Sequence, residues 1–97
     1  MFLVECYWPG IDEAEVLARL AELERTVQTL TTPGEPVEHV GSLLMSADGV
    51  VFTVIRASSE QLARDANLLA GLPVDRIGEV TTVGFTRDRL REEQCES

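Results

Sequence analysis

Two β-prone runs meet at a tight turn near the middle of the chain, and this turn constrains the fold more than any other feature. Residues 37–45 and 50–56 are rich in apolar and β-branched side chains, and Ser46-Ala47-Asp48-Gly49 separates them. An Asp-Gly pair supplies the positive backbone φ that tight hairpins need. The pattern therefore predicts two adjacent antiparallel strands joined by this turn.

One strand and one helix are predicted before the hairpin. The run from Phe2 to Tyr7 is β-prone and ends at Trp8-Pro9-Gly10. Asp12 is a predicted helix N-cap. After it, apolar residues recur at the three- and four-residue spacing of one helix face: Val16, Leu20, Leu23, Val27 and Leu30.

A helix and a last strand are predicted after the hairpin. Ser58 and Ser59 are placed to start the helix, with Gln61 as a capping-box partner of Ser58, and Gly71 is placed to end it. The run 77–85 predicts the last strand. The predicted inner face of this helix consists of Leu62, Ala66, Leu69 and Ala70.

The resulting order is βαββαβ, which is typical of a ferredoxin-like α+β fold. This fold has a four-stranded antiparallel sheet with two helices on one face. The other face is open, and on so small a domain we expect a second copy to cover it, as in a dimeric α+β barrel. Residues 1–85 are predicted to form the domain, and the polar stretch 86–97 a flexible tail.

Charge and composition limit the classes of function. The 97 residues carry a net charge of −9 at pH 7, which disfavours nucleic acids and anionic membrane surfaces as partners. All eight basic residues are Arg, so a lysine Schiff base is excluded. There is no apolar stretch near the length of a membrane helix, and no signal peptide is recognised. We therefore expect a cytoplasmic protein.

Alternation along the strands predicts which side chains share a face of the sheet. A two- or four-residue turn puts apolar side chains on one face of the hairpin, and we assign that face to the helices: Leu43, Met45, Val50, Phe52 and Val54. On the first strand the apolar set Phe2, Val4 and Cys6 is assigned likewise. A three-residue turn would reverse the pairing.

The open face then carries a few polar groups among apolar ones. The polar groups are Glu5, Tyr7, Ser42 and Thr53, and the apolar ones are Leu3, Val40, Leu44, Val51 and Ile55. A mostly apolar surface with a few convergent polar groups suits either a dimer interface or a small-molecule site. Glu5, Tyr7, Ser42 and Thr53 are thus the predicted ligand-cavity residues.

Three side chains are candidates for chemistry, and each has a structural alternative. Cys6 is either a nucleophile or a buried structural thiol. Glu5 is either a general base in apolar surroundings or a carboxylate that is paired with an Arg or exposed at a dimer rim. His39, the only histidine, is either a ligand or a surface or hydrogen-bonded residue. The chain contains no HExxH, no CxxC and no glycine-rich phosphate loop.

The sequence resembles a small bacterial family, long of unknown function, that includes an actinobacterial nickel-binding protein. The resemblance rests on Phe2-Leu3-Val4-Glu5, on Pro9-Gly10 and above all on the stretch 70–80, AGLPVDRIGEV. It implies a ferredoxin-like homodimer that binds a transition metal such as nickel. The histidines of nickel-binding members correspond here to Glu5, Cys6 and Leu72, and leucine cannot ligate a metal.

Three functions remain open at this level. The first is a dimeric metal-binding protein with Glu5, Cys6 and His39 as ligands. The second is a dimeric α+β-barrel enzyme or carrier for a small apolar molecule, such as an isomerase or cyclase, with Glu5 as acid or base. The third is a structural or interaction dimer without a ligand. The sequence does not decide whether the protein is an enzyme.

Overall fold

The computed structural model describes residues 1–84, and its elements follow the predicted order. These are β1 (Phe2–Tyr7), α1 (Glu13–Leu30), β2 (Glu38–Met45), β3 (Val50–Arg56), α2 (Glu60–Leu69) and β4 (Arg76–Glu79). The predicted tail, with Cys95, lies outside the described residues. β4 is shorter than the predicted strand at 77–85, because β1 begins at Phe2 and offers no strand residue to pair beyond Glu79.

The sheet has the order β2-β3-β1-β4, and all three pairings are antiparallel. β1 and β3 lie at its centre, with β2 and β4 at the edges. This topology, with two helices packed against one face, confirms the ferredoxin-like α+β fold.

Helix α1 begins and packs as its sequence predicts. The Asp12 carboxylate accepts a 2.8 Å hydrogen bond from the backbone N–H of Glu15, which satisfies one of the free donors of the first turn. The predicted apolar stripe of this helix faces the sheet: Val16, Leu23 and Val27 are buried, and Leu20 and Leu30 are partly buried against the same core.

Helix α2 differs from its prediction at its start and on its inner face. Ser59, not Ser58, is the N-cap. Asn67 is fully buried, whereas Leu69 is 68% exposed. Leu62 packs against the core as predicted, and the rest of the inner face consists of small residues around this amide: Ala63, Ala66 and Ala70. Because these side chains are short, the helix can lie close to the sheet.

The end of α2 is a complete Schellman motif. The N–H of Gly71 donates to the carbonyl of Leu68, and the N–H of Leu72 donates to that of Asn67. Gly71 has φ of 81°, a left-handed conformation that glycine adopts without steric cost. The predicted helix stop at Gly71 is therefore confirmed.

The hairpin pairs as predicted, but its two faces are reversed relative to the helices. Leu43 opposes Phe52 and Ser42 opposes Thr53, as a four-residue turn requires. Thr53 is only 1% exposed and lies beneath α2, whereas Leu43 is 71% exposed. The apolar set Leu43, Met45, Val50, Phe52 and Val54 thus lies on the face away from the helices, and the prediction that it faces them was wrong.

A bulge in β2 changes which side chains share a face. His39 opposes Ile55, but Gly41 opposes Val54, so one extra residue is inserted at Val40. Without the bulge, His39 and Ser42 would point to opposite faces. With it, both lie on the helix side of the sheet, where their side chains meet.

The hairpin turn packs tightly against the loop that follows β1. The N–H of Trp8 donates a 2.6 Å hydrogen bond to the carbonyl of Gly49. Gly49 has φ of 63°, and a Cβ there would lie 2.9 Å from Pro9 Cα. Both the turn and the close approach therefore require glycine at this position. Among the described residues, no helix combines the length and apolar character needed to cross a bilayer.

Candidate functional site

The sheet face opposite the helices is largely apolar and exposed. We call it the open sheet face, and its members are Leu3, Glu5, Tyr7, Leu43, Met45, Phe52, Val54, Arg76 and Gly78. A groove of about 290 Å³ lies on its β2–β3 half. The groove is lined by Val40, Gly41, Ser42, Leu43, Phe52, Val54 and Thr82. Such lining suits an apolar occupant.

Glu5 and Tyr7 lie on the open sheet face, as predicted from the first strand. The Glu5 side chain is 20% exposed, and its Oε2 lies 3.4 Å from Nε of Arg76, which opposes it on β4. Arg76 is 80% exposed and held loosely, so the pair contributes little to stability. Glu5 is thus paired with an Arg, as in one of the alternatives that the sequence left open.

Asp75 fixes the end of β1 next to these groups. Its carboxylate accepts a 2.6 Å hydrogen bond from the N–H of Tyr7, and its own N–H donates to the carbonyl of Glu5. The Asp75 side chain accepts the hydrogen bond that a backbone carbonyl of a neighbouring strand would otherwise accept, because β4 begins only at Arg76. Asp75 therefore holds the backbone that presents Glu5 and Tyr7.

Ser42 and Thr53 do not lie with Glu5 and Tyr7, contrary to the predicted cavity. The Thr53 hydroxyl donates to Oδ1 of Asn67 beneath α2, and Ser42 contacts His39. Both hydroxyls have polar partners on the helix side, which is why a polar residue can occupy a buried position there. The four predicted residues thus divide into two pairs on opposite faces of the sheet.

Cys6 lies in the core and is not on the open sheet face. It is 1% exposed and packs among the apolar residues beneath the helices. Burial, and secondly the Asp75 carboxylate, raises the pKa of the Cys6 thiol to about 11. The thiolate, which is the nucleophile and the metal ligand, is therefore disfavoured at neutral pH.

His39 links helix α1 to strand β2. Its Nδ1 lies 2.6 Å from Oε1 of Glu24, and its Nε2 lies 2.7 Å from Oγ of Ser42. The ring is nearly enclosed, with 9% of the side chain exposed. Both ring nitrogens already have partners within the protomer, so His39 is the hydrogen-bonded residue that the sequence left as one alternative to a ligand.

The predicted metal ligands do not converge within one protomer. Glu5 and Cys6 are neighbours on β1 and point to opposite faces, and His39 lies on β2, which β3 separates from β1. Within residues 1–84, no group of three or more His, Cys, Asp or Glu is arranged to hold a metal ion. These three residues therefore cannot bind one ion together in a single chain.

Sequence reasoning missed Glu24, Asn67 and Asp75. Glu24 and Asn67 sit within helical patterns and read as ordinary helix positions. A signal existed for the His39 arrangement, because an isolated glycine within a strand, here Gly41, often marks a bulge. No comparable signal marks Asn67 as buried.

Comparisons with known proteins identify a shared fold but do not assign a family. No protein-family model matches the chain, and no curated protein matches it. Among solved structures, it is similar to the crystal structure of SCO4226 from Streptomyces coelicolor A3(2), with a TM-score of 0.73 and 15% identity. The match covers 86% of this chain and 98% of that one. At this identity the likeness shows a shared ferredoxin-like fold, while the resembled family and its nickel stay predictions.

Proposed function

We propose that this protein is a homodimeric binding module in which the open sheet faces of two protomers pack together and enclose a small apolar molecule. The observation that carries the proposal is the cluster of large apolar side chains on a face that the helices leave uncovered. Leu43 is 71% exposed and Met45 48% exposed, with Phe52 and Val54 beside them. Removing one such side chain from water stabilises an assembly by about 1.5–3 kcal/mol.

The size of the groove supports a shared site. One groove holds about 290 Å³, just below the usual range of small-molecule sites, which is about 300–1,000 Å³. Two grooves that face each other would together offer about 580 Å³. A dimer would also exclude water from the groove, which strengthens every polar contact inside it.

Polar groups at the other half of the face would orient the occupant. Glu5 is four-fifths covered already, and the Tyr7 ring is 54% exposed. In a face-to-face dimer, Glu5 could accept a hydrogen bond from a hydroxyl or amine of the ligand. If the module also converts its ligand, Glu5 is the acid or base, and Glu5→Gln would then bind the ligand without converting it.

A transition-metal site is not part of this proposal. The nickel that the family resemblance implies would need ligands from two protomers, because Glu5, Cys6 and His39 diverge within one. The apolar lining of the groove also offers no soft or anionic ligand set.

The oligomeric state in solution tests the proposal directly. Light scattering after gel filtration at 1–100 μM should give twice the chain mass of 10.7 kDa. Leu43→Asp places a charge within the apolar cluster of the proposed interface and should give a monomer. Leu69→Asp is the matched control, since Leu69 is 68% exposed on α2, and it should remain a dimer. A monomeric wild type across this range, or a Leu43→Asp dimer, would refute the proposal.

Ligand binding tests the second part of the proposal, which is that the dimer encloses a small apolar molecule. An uncharged apolar dye such as Nile red should bind the dimer with enhanced fluorescence, with one dye per dimer. Phe52→Ala should weaken binding, since Phe52 lines the groove, and Leu68→Ala on α2 should not. Equal dye fluorescence in all three proteins would show that the groove takes no apolar ligand.

A further inference from the structure

Three side chains on the helix side of the sheet form a hydrogen-bonded relay that ends in a hydroxyl. Glu24 Oε1 lies 2.6 Å from His39 Nδ1, and His39 Nε2 lies 2.7 Å from Ser42 Oγ. An ionised carboxylate only accepts hydrogen bonds, so Nδ1 donates to Glu24. In the neutral ring, Nε2 is then left as the acceptor for the Ser42 hydroxyl. This is the polarity that a nucleophilic serine needs.

The fold holds the relay in place from two elements. Glu24 belongs to α1, while His39 and Ser42 belong to β2 on either side of the bulge. The His39 side chain is 9% exposed, so packing as well as two hydrogen bonds fixes the ring. A strand without the extra residue would turn Ser42 away from His39.

The end of the relay opens into a groove between α1 and β2. This groove holds about 400 Å³. Its surface is about equally polar and apolar, and its lining residues are Glu13, Val16, Leu17, Leu20, Ser42, Leu43, Leu44 and Ser46. A small acyl chain would fit among the leucines. The Glu13 carboxylate and the net charge of −9 disfavour an anionic substrate here.

We propose that Ser42 is an activated nucleophile that accepts acyl groups from small uncharged esters with an apolar acyl chain. Ser42 Oγ attacks the ester carbonyl carbon while its proton passes to His39 Nε2. The bond from that carbon to the alcohol oxygen breaks, and His39 returns the proton to the departing alcohol. Water then attacks the acyl-Ser42 ester by the same route, which releases the acid and restores the hydroxyl.

This activity goes beyond the proposed binding function, although Ser42 and Leu43 line both the α1–β2 groove and the groove of the open sheet face. Glu24 acts through His39, as the group that selects the tautomer and orients the ring. Leu17 and Leu20 line the groove on its α1 side.

A biotinylated fluorophosphonate tests the nucleophile, because it forms a stable adduct with activated serines. We expect one adduct per chain on the native protein, mapped by mass spectrometry to Ser42, and none on heat-denatured protein. Ser42→Ala should abolish it. Since the hydroxyl is partly exposed, this variant should keep the wild-type urea midpoint, so the loss cannot come from unfolding.

The labelling rate tests the relay. His39→Gln should slow labelling by about 100-fold or more, the usual size of a general-base contribution. Glu24→Gln should slow it by about 10-fold or more, because the ring loses the partner that selects its tautomer. Glu22→Gln, on the same helix but outside the groove lining, is the matched control that should keep the wild-type rate. 4-Nitrophenyl butyrate should acylate the protein faster than mono(4-nitrophenyl) succinate, whose acyl chain is anionic.

The opposite results would overturn the proposal. These are an absence of labelling above the denatured control, an adduct mapped to Ser46, or an unchanged labelling rate in His39→Gln. If His39→Gln fails to fold, the relay is tested instead with Ser42→Cys in a Cys6→Ala/Cys95→Ala background. The thiol introduced at position 42 should react more slowly with iodoacetamide when Glu24→Gln is added. An unchanged rate would count equally against the relay.

Discussion

The hydroxyl of Thr53 donates a 2.8 Å hydrogen bond to Oδ1 of Asn67, and both residues are fully buried between β3 and α2. Nδ2 of Asn67 donates in turn to the carbonyl of Ala63. Within the described residues, no buried side-chain nitrogen or oxygen is left without a hydrogen bond. This pair therefore allows two polar residues to occupy the centre of a small core.

Breaking this pair from either side should destabilise the fold. Thr53→Val leaves Oδ1 of Asn67 without a donor and should lower the free energy of unfolding by about 1–3 kcal/mol. Asn67→Leu should cost at least as much, since it also removes the bond to Ala63. Urea denaturation followed by circular dichroism measures both.

The double variant shows whether the two residues are coupled. Thr53→Val with Asn67→Leu should cost less than the two single changes together, because no polar group is then left unpaired. Thr29→Val is the control, since its hydroxyl bonds an exposed carbonyl, and it should change stability by about 0.5 kcal/mol or less. Strict additivity would mean that the hydrogen bond contributes nothing beyond the separate side chains.

Gly49→Ala should be strongly destabilising. The new Cβ would lie 2.9 Å from Pro9 Cα and 3.0 Å from the carbonyl oxygen of Trp8, in a residue with φ of 63°. Backbone atoms cannot move aside as a flexible side chain can, so we expect a loss of about 2 kcal/mol or more.

Substitutions at two further glycines show how much of the Gly49→Ala destabilisation comes from the positive φ and how much from the contact with Pro9. Gly10→Ala shares the positive φ, at 82°, but has nothing within 4 Å of the new Cβ, so it reports conformational strain alone. Gly34→Ala has neither feature and should be nearly neutral. A Gly49→Ala loss equal to that of Gly10→Ala would show that the contact with Pro9 is unimportant.

Cys6 should make stability fall at alkaline pH. Its pKa rises from an ordinary value of 9.0 to about 11 in the fold. Between these values the unfolded chain loses the proton that the folded chain keeps, so folding stability declines as pH rises. The contribution is complete below about pH 9 and lost above about pH 11.

Urea midpoints at pH 7, 9 and 10.5 measure this dependence in a Cys95→Ser background, where Cys6 is the only thiol. Cys6→Ala in the same background should be less stable at pH 7, and its midpoint should fall less between pH 9 and 10.5. The folded Cys95→Ser protein should also resist iodoacetamide at pH 8. Parallel pH profiles would show that the thiol titrates alike in both states.

The element order was predictable because each local signal agreed with the fold. Asp12, Gly49 and Gly71 carry turn and cap chemistry that depends on a few neighbouring residues, and all three act as predicted. Cys6 was also assigned correctly to the core side of β1. Local patterns of this kind do not depend on what packs across the sheet.

The faces of the hairpin were not predictable by the same reasoning. An apolar face normally faces the helices, but here Leu43 and Phe52 face outwards while Thr53 is buried. Thr53 can lie in the core because Asn67, which is distant in sequence on α2, accepts a hydrogen bond from its hydroxyl. The relay at His39 was hidden for a related reason, since it depends on the register of β2 against β3.

The central position of β1 has a consequence for synthesis. Both of its sheet neighbours, β3 and β4, lie in the second half of the chain. Of the four strands, β1 is synthesised first and must therefore wait, unpaired, until β3 has emerged from the ribosome. Contacts between segments so distant in sequence are entropically costly to close, and such topologies fold more slowly than local ones. During that interval Leu3 and Val4 are exposed to other chains, so we expect the yield of folded protein to fall as expression temperature rises.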